Sequence, residues 1–156
     1  MKIGILSDTH DDSAGTMRAI ERFKDAACAL IIHAGDVCSP FTARIIKGAD
    51  IPHLAVFGNN DGDRLHLAKI LDIRPAPRHA EVEGLNIVVF HEPFINDYID
   101  PERVDLLIHG HTHQLSMTER ENMLTINPGT VSGVLAQTKT CAVYDTGSRK
   151  AEIIEL

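Results

Sequence analysis

The chain has 156 residues, is 44% hydrophobic and 24% charged, and carries a formal net charge of −7. It is long enough for one domain spanning 1–156 with a proper core, and no apolar run approaches membrane-spanning length. The negative balance argues against broad binding to nucleic acid or an anionic membrane, whose phosphates would be repelled except at a local positive site.

Aromatic residues make up only 4% of the chain and Trp is absent, so an aliphatic core is expected. Cys28, Cys38 and Cys141 are odd in number and lack CxxC spacing. They suggest neither a disulfide framework nor an all-cysteine zinc site, and a reducing cytoplasm fits them. The N-terminal apolar run turns polar after Leu6, too soon for a signal peptide.

In chain order, Lys2–Leu6 reads as a strand ending in Ser7-Asp8-Thr9-His10. Asp11, Asp12 or Ser13 can cap a helix running to about Ala27, with Met17, Ile20 and Phe23 on its apolar face. Ala29–His33 is a second strand, ending in Gly35-Asp36. Pro40 suits the first turn of a helix over Ser39–Lys47. His53–Phe57 is a third strand, ending in Gly58-Asn59-Asn60-Asp61, and a helix over Asp63–Leu71 follows. Three strand–tip–helix units predict a parallel sheet built by crossovers.

After Pro75 and Pro77 the pattern changes. His79–Glu83 and Leu85–Phe90 read as a hairpin around Gly84, its second strand ending in His91. Phe94–Glu102 is ambiguous. Val104–Ile108 is a strand running into His109-Gly110-His111-Thr112-His113. Leu115–Arg120 and Met123–Ile126 form a hairpin turning at Glu121-Asn122. Asn127-Pro128-Gly129 is a tight turn, Val131–Leu135 a weak strand, and Thr140–Tyr144 with Ala151–Leu156 a closing hairpin. A parallel first half and a hairpin-rich second half predict two packed sheets with helices outside.

Five apolar runs end in groups able to bind metal: Asp8 and His10, Asp36, Asn59, His91, and His111 with His113. Carboxylate, imidazole and amide oxygen without thiolate suit Mn²⁺, Fe or Zn²⁺ better than Mg²⁺ or Ca²⁺. Seven ligands exceed one tetrahedral ion and suffice for two if a carboxylate bridges. Two divalent ions against Asp8 and Asp36 leave a locally positive pocket, attractive to phosphate. Taken singly, each of these motifs is a polar loop tip. Their order at successive strand ends makes the metal reading specific. His33 and His109 lie within the buried runs as supporting histidines, and His53, His66 and His79 have no motif around them.

The series Asp8-x-His10, Gly35-Asp36, Gly58-Asn59-x-Asp61, His91 and Gly110-His111-x-His113 resembles the calcineurin-like metallophosphoesterases. Within them it is most similar to the small single-domain phosphodiesterases of bacteria and archaea, whose Asn-Pro-Gly turn is matched at Asn127-Pro128-Gly129. The resemblance implies an α/β fold, a four-layer α/β/β/α sandwich of two mixed sheets flanked by helices. It also implies two divalent metal ions, Mn²⁺ foremost, with Ni²⁺, Fe or Zn²⁺ as alternatives. Asp8, His10 and His113 would hold the first, Asn59, His91 and His111 the second, and Asp36 would bridge. A hydroxide shared by the ions would attack a small phosphodiester or other phosphate ester in line. The sequence leaves homo-oligomerisation open.

One position departs from the family. The residue after the ligand Asn is often His in this superfamily, where it protonates the leaving group, and Cys in many small members; here it is Asn60. A neutral amide cannot serve as a general acid, though it can donate a hydrogen bond to a phosphoryl oxygen. Asn60 and Asp36 are therefore the expected catalytic positions, with a preference for good leaving groups or an acid from elsewhere. Asp61 is expected to orient its neighbours. The alternative is a non-catalytic protein-binding scaffold on the same fold, like the scaffold subunit of retromer. Seven intact ligand positions speak against it. A metallo-β-lactamase-type site would need an aspartate where Leu115 stands.

Overall fold

The computed structural model describes residues 1–134 and 136–156, and of residue 95 the backbone alone. In chain order its elements are β1 (Lys2–Leu6), α1 (Ser13–Asp25), β2 (Leu30–His33), α2 (Pro40–Lys47), β3 (His53–Val56), α3 (Arg64–Ile70), β4 (Ile73–Arg74), β5 (Arg78–Val82) and β6 (Leu85–Val89). A 3-10 turn, Pro93–Tyr98, precedes β7 (Leu106–Ile108), β8 (Ser116–Arg120), β9 (Met123–Asn127), β10 (Thr140–Asp145) and β11 (Lys150–Glu155).

The helices start where side chains can take up free backbone N–H groups. Asp12 caps α1, accepting from the Gly15 N–H at 2.8 Å, Ser39 accepts from Phe41 ahead of Pro40 in α2, and Asp63 accepts from His66 in α3. The β5–β6 turn places Glu83 and Gly84 at φ 49° and 78°, as a two-residue hairpin twisted like its strands requires.

The strands form two mixed sheets. The first runs β11-β10-β1-β2-β3-β4 and the second β5-β6-β7-β9-β8. β1 to β4 pair in parallel, and β10 closes antiparallel on β1. In the second sheet β6, β7 and β9 are parallel, flanked by the hairpin partners β5 and β8.

Alternation along the strands sorts side chains between layers. Ile3, Ile5, Ile32, Leu54 and Val56 meet Ile87, Val89, Leu106, Ile108 and Ile126 between the sheets. Each such burial contributes about 1.5–3 kcal/mol. On the opposite face of the first sheet, Leu6, Ile31 and Val143 pack on Ala19, Ile20 and Phe23 of α1. Ala55 and Ile73 pack on Ala43 and Ile46 of α2 and Leu67 of α3. The outer face of the second sheet packs Val88, Phe90, Leu107 and Met123 on Val104 and Ile99, which follow the 3-10 turn. The layers have the expected α/β/β/α order, with a thin fourth layer. Among the described residues, no helix is long and apolar enough to cross a membrane.

Three local expectations change. Met17 is 49% exposed, because the buried stripe of α1 is Thr16, Ala19, Ile20 and Phe23, and residue 17 lies about 100° round the helix from residue 16. Residues 131–134 are not a strand. They run beside the exit of β1, Val131 donating to the Ser7 carbonyl and Ser132 to that of Asp8; Leu135 lies outside the described residues. β4 was not expected. Two residues before Pro75 offer no alternation to read, and β3 defines the strand by pairing with it.

Gly4 lets the Phe23 ring lie flat on β1, since a Cβ there would come within 2.5 Å of the ring. Gly4→Ala should therefore destabilise the fold by about 1–3 kcal/mol through overpacking, measured as a lowered urea midpoint at constant m-value.

Candidate metal centre

The C-terminal ends of β1, β2, β3, β6 and β7 converge along one edge of the two sheets, where open α/β folds gather ligands. Backbone bonds carry the ladders past the strands. Asp8 N–H donates to the Gly35 carbonyl, His10 N–H to that of Asp36, and Gly110 N–H to that of His91. Asp8, His10, Asp36, His111 and His113 all adopt left-handed backbone, with φ between 40° and 71°. That conformation costs of order 1 kcal/mol or more for a residue with a Cβ, and packing must impose it. Here it turns each side chain back into the crevice.

All seven sequence-predicted groups meet there. Asp8 Oδ1 lies 3.1 Å from His113 Nε2 and 3.6 Å from His10 Nε2. The two imidazole nitrogens are 3.1 Å apart. Across the crevice, Asn59 Oδ1 lies 3.0 Å from His91 Nε2 and 2.9 Å from His111 Nδ1. Asp36 Oδ2 stands between the clusters, 3.6 Å from His10 Nε2 and 3.3 Å from His91 Nε2. Two triads are close enough to hold a metal ion: Asp8, His10 and His113, and Asp8, Asp36 and His91.

The donor set fits divalent cations on two observations. Asp8 Oδ2 accepts from the Ser7 hydroxyl at 2.6 Å and the His111 N–H at 3.0 Å, yet its buried Oδ1 has no hydrogen-bond partner among the described residues. Such an orphaned oxygen costs about 1–3 kcal/mol unless something positive meets it. Second, His91 Nδ1 donates to the Ala34 carbonyl at 2.7 Å, so neutral His91 turns a lone pair toward Asn59 and Asp36. Lone pairs facing oxygen lone pairs repel, and a cation or a second proton must stand there.

The electrostatics agree. Burial pushes both carboxyls up, but His10 and Ser7 beside Asp8, and His91 and Asn60 beside Asp36, outweigh it and hold them below the usual carboxylate range. His10 is pushed up, first by Asp8. His91 is pushed up by Asp36 and Asp8 against its own burial. The centre thus holds two buried anions ready for positive charge.

Supporting groups fix the loops. Asn60 clamps Asp36 from both sides, its backbone N–H on Oδ1 at 2.8 Å and its amide on Oδ2 at 2.7 Å. Buried Asp61 accepts N–H bonds from Asp36, Cys38 and Gly58, tying the tips after β2 and β3 together. Its carboxyl is pushed up by burial against those bonds. Buried His33 accepts from Gly35 N–H at Nδ1, which leaves Nε2 to donate to Thr9 Oγ1 at 3.2 Å. Thr9 in turn donates to the Asp36 carbonyl. Burial holds His33 down at about 4, in keeping with this neutral tautomer. Asp61→Ala should weaken metal binding by about 10–100-fold, read as a shifted metal-titration curve of the purified variant.

Sequence reasoning missed Ser7, which steers Asp8, and the anchoring role of Asn127. The amide of Asn127 donates to the Gly110 carbonyl at 3.1 Å and to Thr112 Oγ1 at 2.9 Å, while its Oδ1 accepts from Gly129. The Asn-Pro-Gly turn therefore holds the His111–His113 loop in place. Gly110 is also a fitted position: a Cβ would meet Ser7 Oγ at 1.9 Å and Asp8 Oδ2 at 2.5 Å. Among the other histidines, His109 is buried and stacks on Phe90, while His53 is half-buried and His66 and His79 are exposed.

A family model for the calcineurin-like phosphoesterase superfamily domain matches residues 1–149. The chain is 33% identical over 165 residues to a phosphodiesterase of Methanocaldococcus jannaschii, covering 100% of this chain and 99% of the relative. It superposes on the structure of an archaeal phosphodiesterase with a TM-score of 0.93 at 33% identity, over 100% of both chains. A phosphoesterase from E. coli shares the fold, with a TM-score of 0.73 at 19% identity over 99% of this chain and 98% of the other.

Proposed function

Because the chain belongs to the calcineurin-like phosphoesterase superfamily, we propose that it is a phosphodiesterase with a dinuclear metal site at the converging strand ends. The observation that carries this reading is Asp8 Oδ1, buried, without a hydrogen-bond partner among the described residues and facing the His113 ring nitrogen at 3.1 Å. Asp8, His10 and His113 would hold one ion, Asn59, His91 and His111 the other, and Asp36 would serve both. When bound, two such ions supply a water acidic enough to attack phosphorus in line at neutral pH and positive charge for the phosphoryl oxygens. Mn²⁺ heads the candidates, with Ni²⁺, Fe and Zn²⁺ matching the same imidazole and carboxylate set.

The chain's own residues prepare that chemistry. Asp36 and Asp8 are kept ionised in a buried crevice, and the left-handed turns fix the ligand directions before substrate arrives. Asn60 spends one amide proton on Asp36 Oδ2 and keeps the second for a phosphoryl oxygen. It supplies no proton to the leaving group, so turnover should favour esters of acidic alcohols. The reading includes a small phosphodiester substrate and a cytoplasmic setting, the latter supported by three free thiols.

The test is hydrolysis of bis(p-nitrophenyl) phosphate by protein stripped with chelator and reloaded with Mn²⁺, Ni²⁺ or Zn²⁺. Stripped protein should be inactive and at least one metal should restore turnover. No turnover with any of the three, together with no bound metal, would sink the proposal.

A further inference from the structure

A cleft of about 590 Å³ opens beside the second metal position, and Asn59 and His91 line both. Its volume lies in the range of small-molecule sites. Its other walls include Phe57, Phe94, Arg64 and Glu92. Aromatic side chains are scarce, five Phe and two Tyr in 156 residues, yet three of the five phenylalanines, Phe57, Phe90 and Phe94, border this one cleft. Phe57 and Phe90 also pack on the core, whereas Phe94 is 70% exposed. Its ring lies edge-on to His111, with centroids 6.2 Å apart, at the junction of cleft and metal centre.

Arg64 is also set as a surface. Its Nε donates to the Asp61 carbonyl and its Nη2 to that of Gly58, and the guanidinium stacks over Phe57 at 5.1 Å. A guanidinium anchored by two carbonyls in this way offers a fixed planar group for stacking. Glu92 lines the same cleft as Arg64 and carries the opposite charge, so the formal charges of the walls offset. A neutral, planar group suits these walls.

We propose that this cleft binds a planar aromatic substituent of the phosphate ester, an aryl group or a nucleobase, and so selects among substrates. The inference rests on the phosphoester reading above. The experiment is calorimetric binding of methylphosphonate and phenylphosphonate to Mn²⁺-loaded protein, two ligands with no leaving group that carry a methyl and a phenyl group on the same phosphorus. Phenylphosphonate should bind about tenfold more tightly. Phe94→Ala should bring the ratio close to one, and Phe94→Tyr should restore it. A purine nucleoside 5′-phosphonate separates the sources: a gain at least as large as phenyl assigns the cleft to a nucleobase, and a gain with phenyl alone assigns it to a small aryl group. Equal affinities for methyl- and phenylphosphonate in the native protein would overturn the cleft assignment and leave the metal site standing. Binding of neither would overturn the phosphoester reading as well.

Discussion

Asp36→Asn should lower diester hydrolysis by on the order of 10³-fold, the scale of removing one preorganised electrostatic partner at a reacting centre. The substitution keeps side-chain shape, and asparagine tolerates the left-handed backbone that Asp36 adopts at φ 62°, so the fold should survive. The charge is what disappears. Asp36 Oδ2 is the oxygen standing between His10 Nε2 and His91 Nε2, and an amide there offers one weaker donor oxygen and no negative charge. Bound metal per chain should fall below two in the same variant. If hydrolysis fell while a protein partner still bound normally, a scaffold role would gain ground. Unchanged hydrolysis would refute the bridging assignment.

His111→Ala and His113→Ala should each remove one metal, and not the same one. The two residues are neighbours in sequence, but their nitrogens face opposite clusters. His113 Nε2 lies 3.1 Å from Asp8 Oδ1 and from His10 Nε2. His111 Nδ1 lies 2.9 Å from Asn59 Oδ1. Each variant should retain about one ion per chain and lose on the order of 10²–10³-fold in turnover. Alanine at these positive-φ positions adds about 1 kcal/mol of strain, too little to unfold a domain of this size. A metal titration of both variants checks the partition: one remaining site in each supports it, and loss of both ions, or of neither, from either variant contradicts it.

Much of this architecture could be read from local chemistry. The helix starts were legible in part: Asp11, Asp12 or Ser13 offered a cap for α1, of which Asp12 takes the role, and Pro40 marked the first turn of α2, because a cap and its free N–H groups are sequence neighbours. The parallel half followed from three apolar runs with polar tips. The convergence of the seven candidate ligands was legible for a related reason: each stands at the end of such a run, and the sheet brings run ends together. What stayed hidden depends on distant partners. β4 exists only because β3 pairs with it. Met17 lies off the apolar stripe because Thr16 and Ala19 fill it. Asn127 looked like turn punctuation, yet its amide reaches back to Gly110 and Thr112, fifteen or more residues earlier. The opposite directions of His111 and His113 came from the resemblance alone, since i and i+2 spacing equally allows both rings to aim at one ion. The cleft of Phe57, Arg64 and Phe94 joins three segments that no spacing rule connects.

The central claim is a pair of ions astride Asp36, and anomalous diffraction from crystals soaked in Mn²⁺ tests it most directly. Two anomalous peaks about 3.5–4 Å apart are expected, one among Asp8, His10 and His113, the other among Asn59, His91 and His111, with Asp36 between them. A single peak, or peaks elsewhere on the molecule, would contradict it.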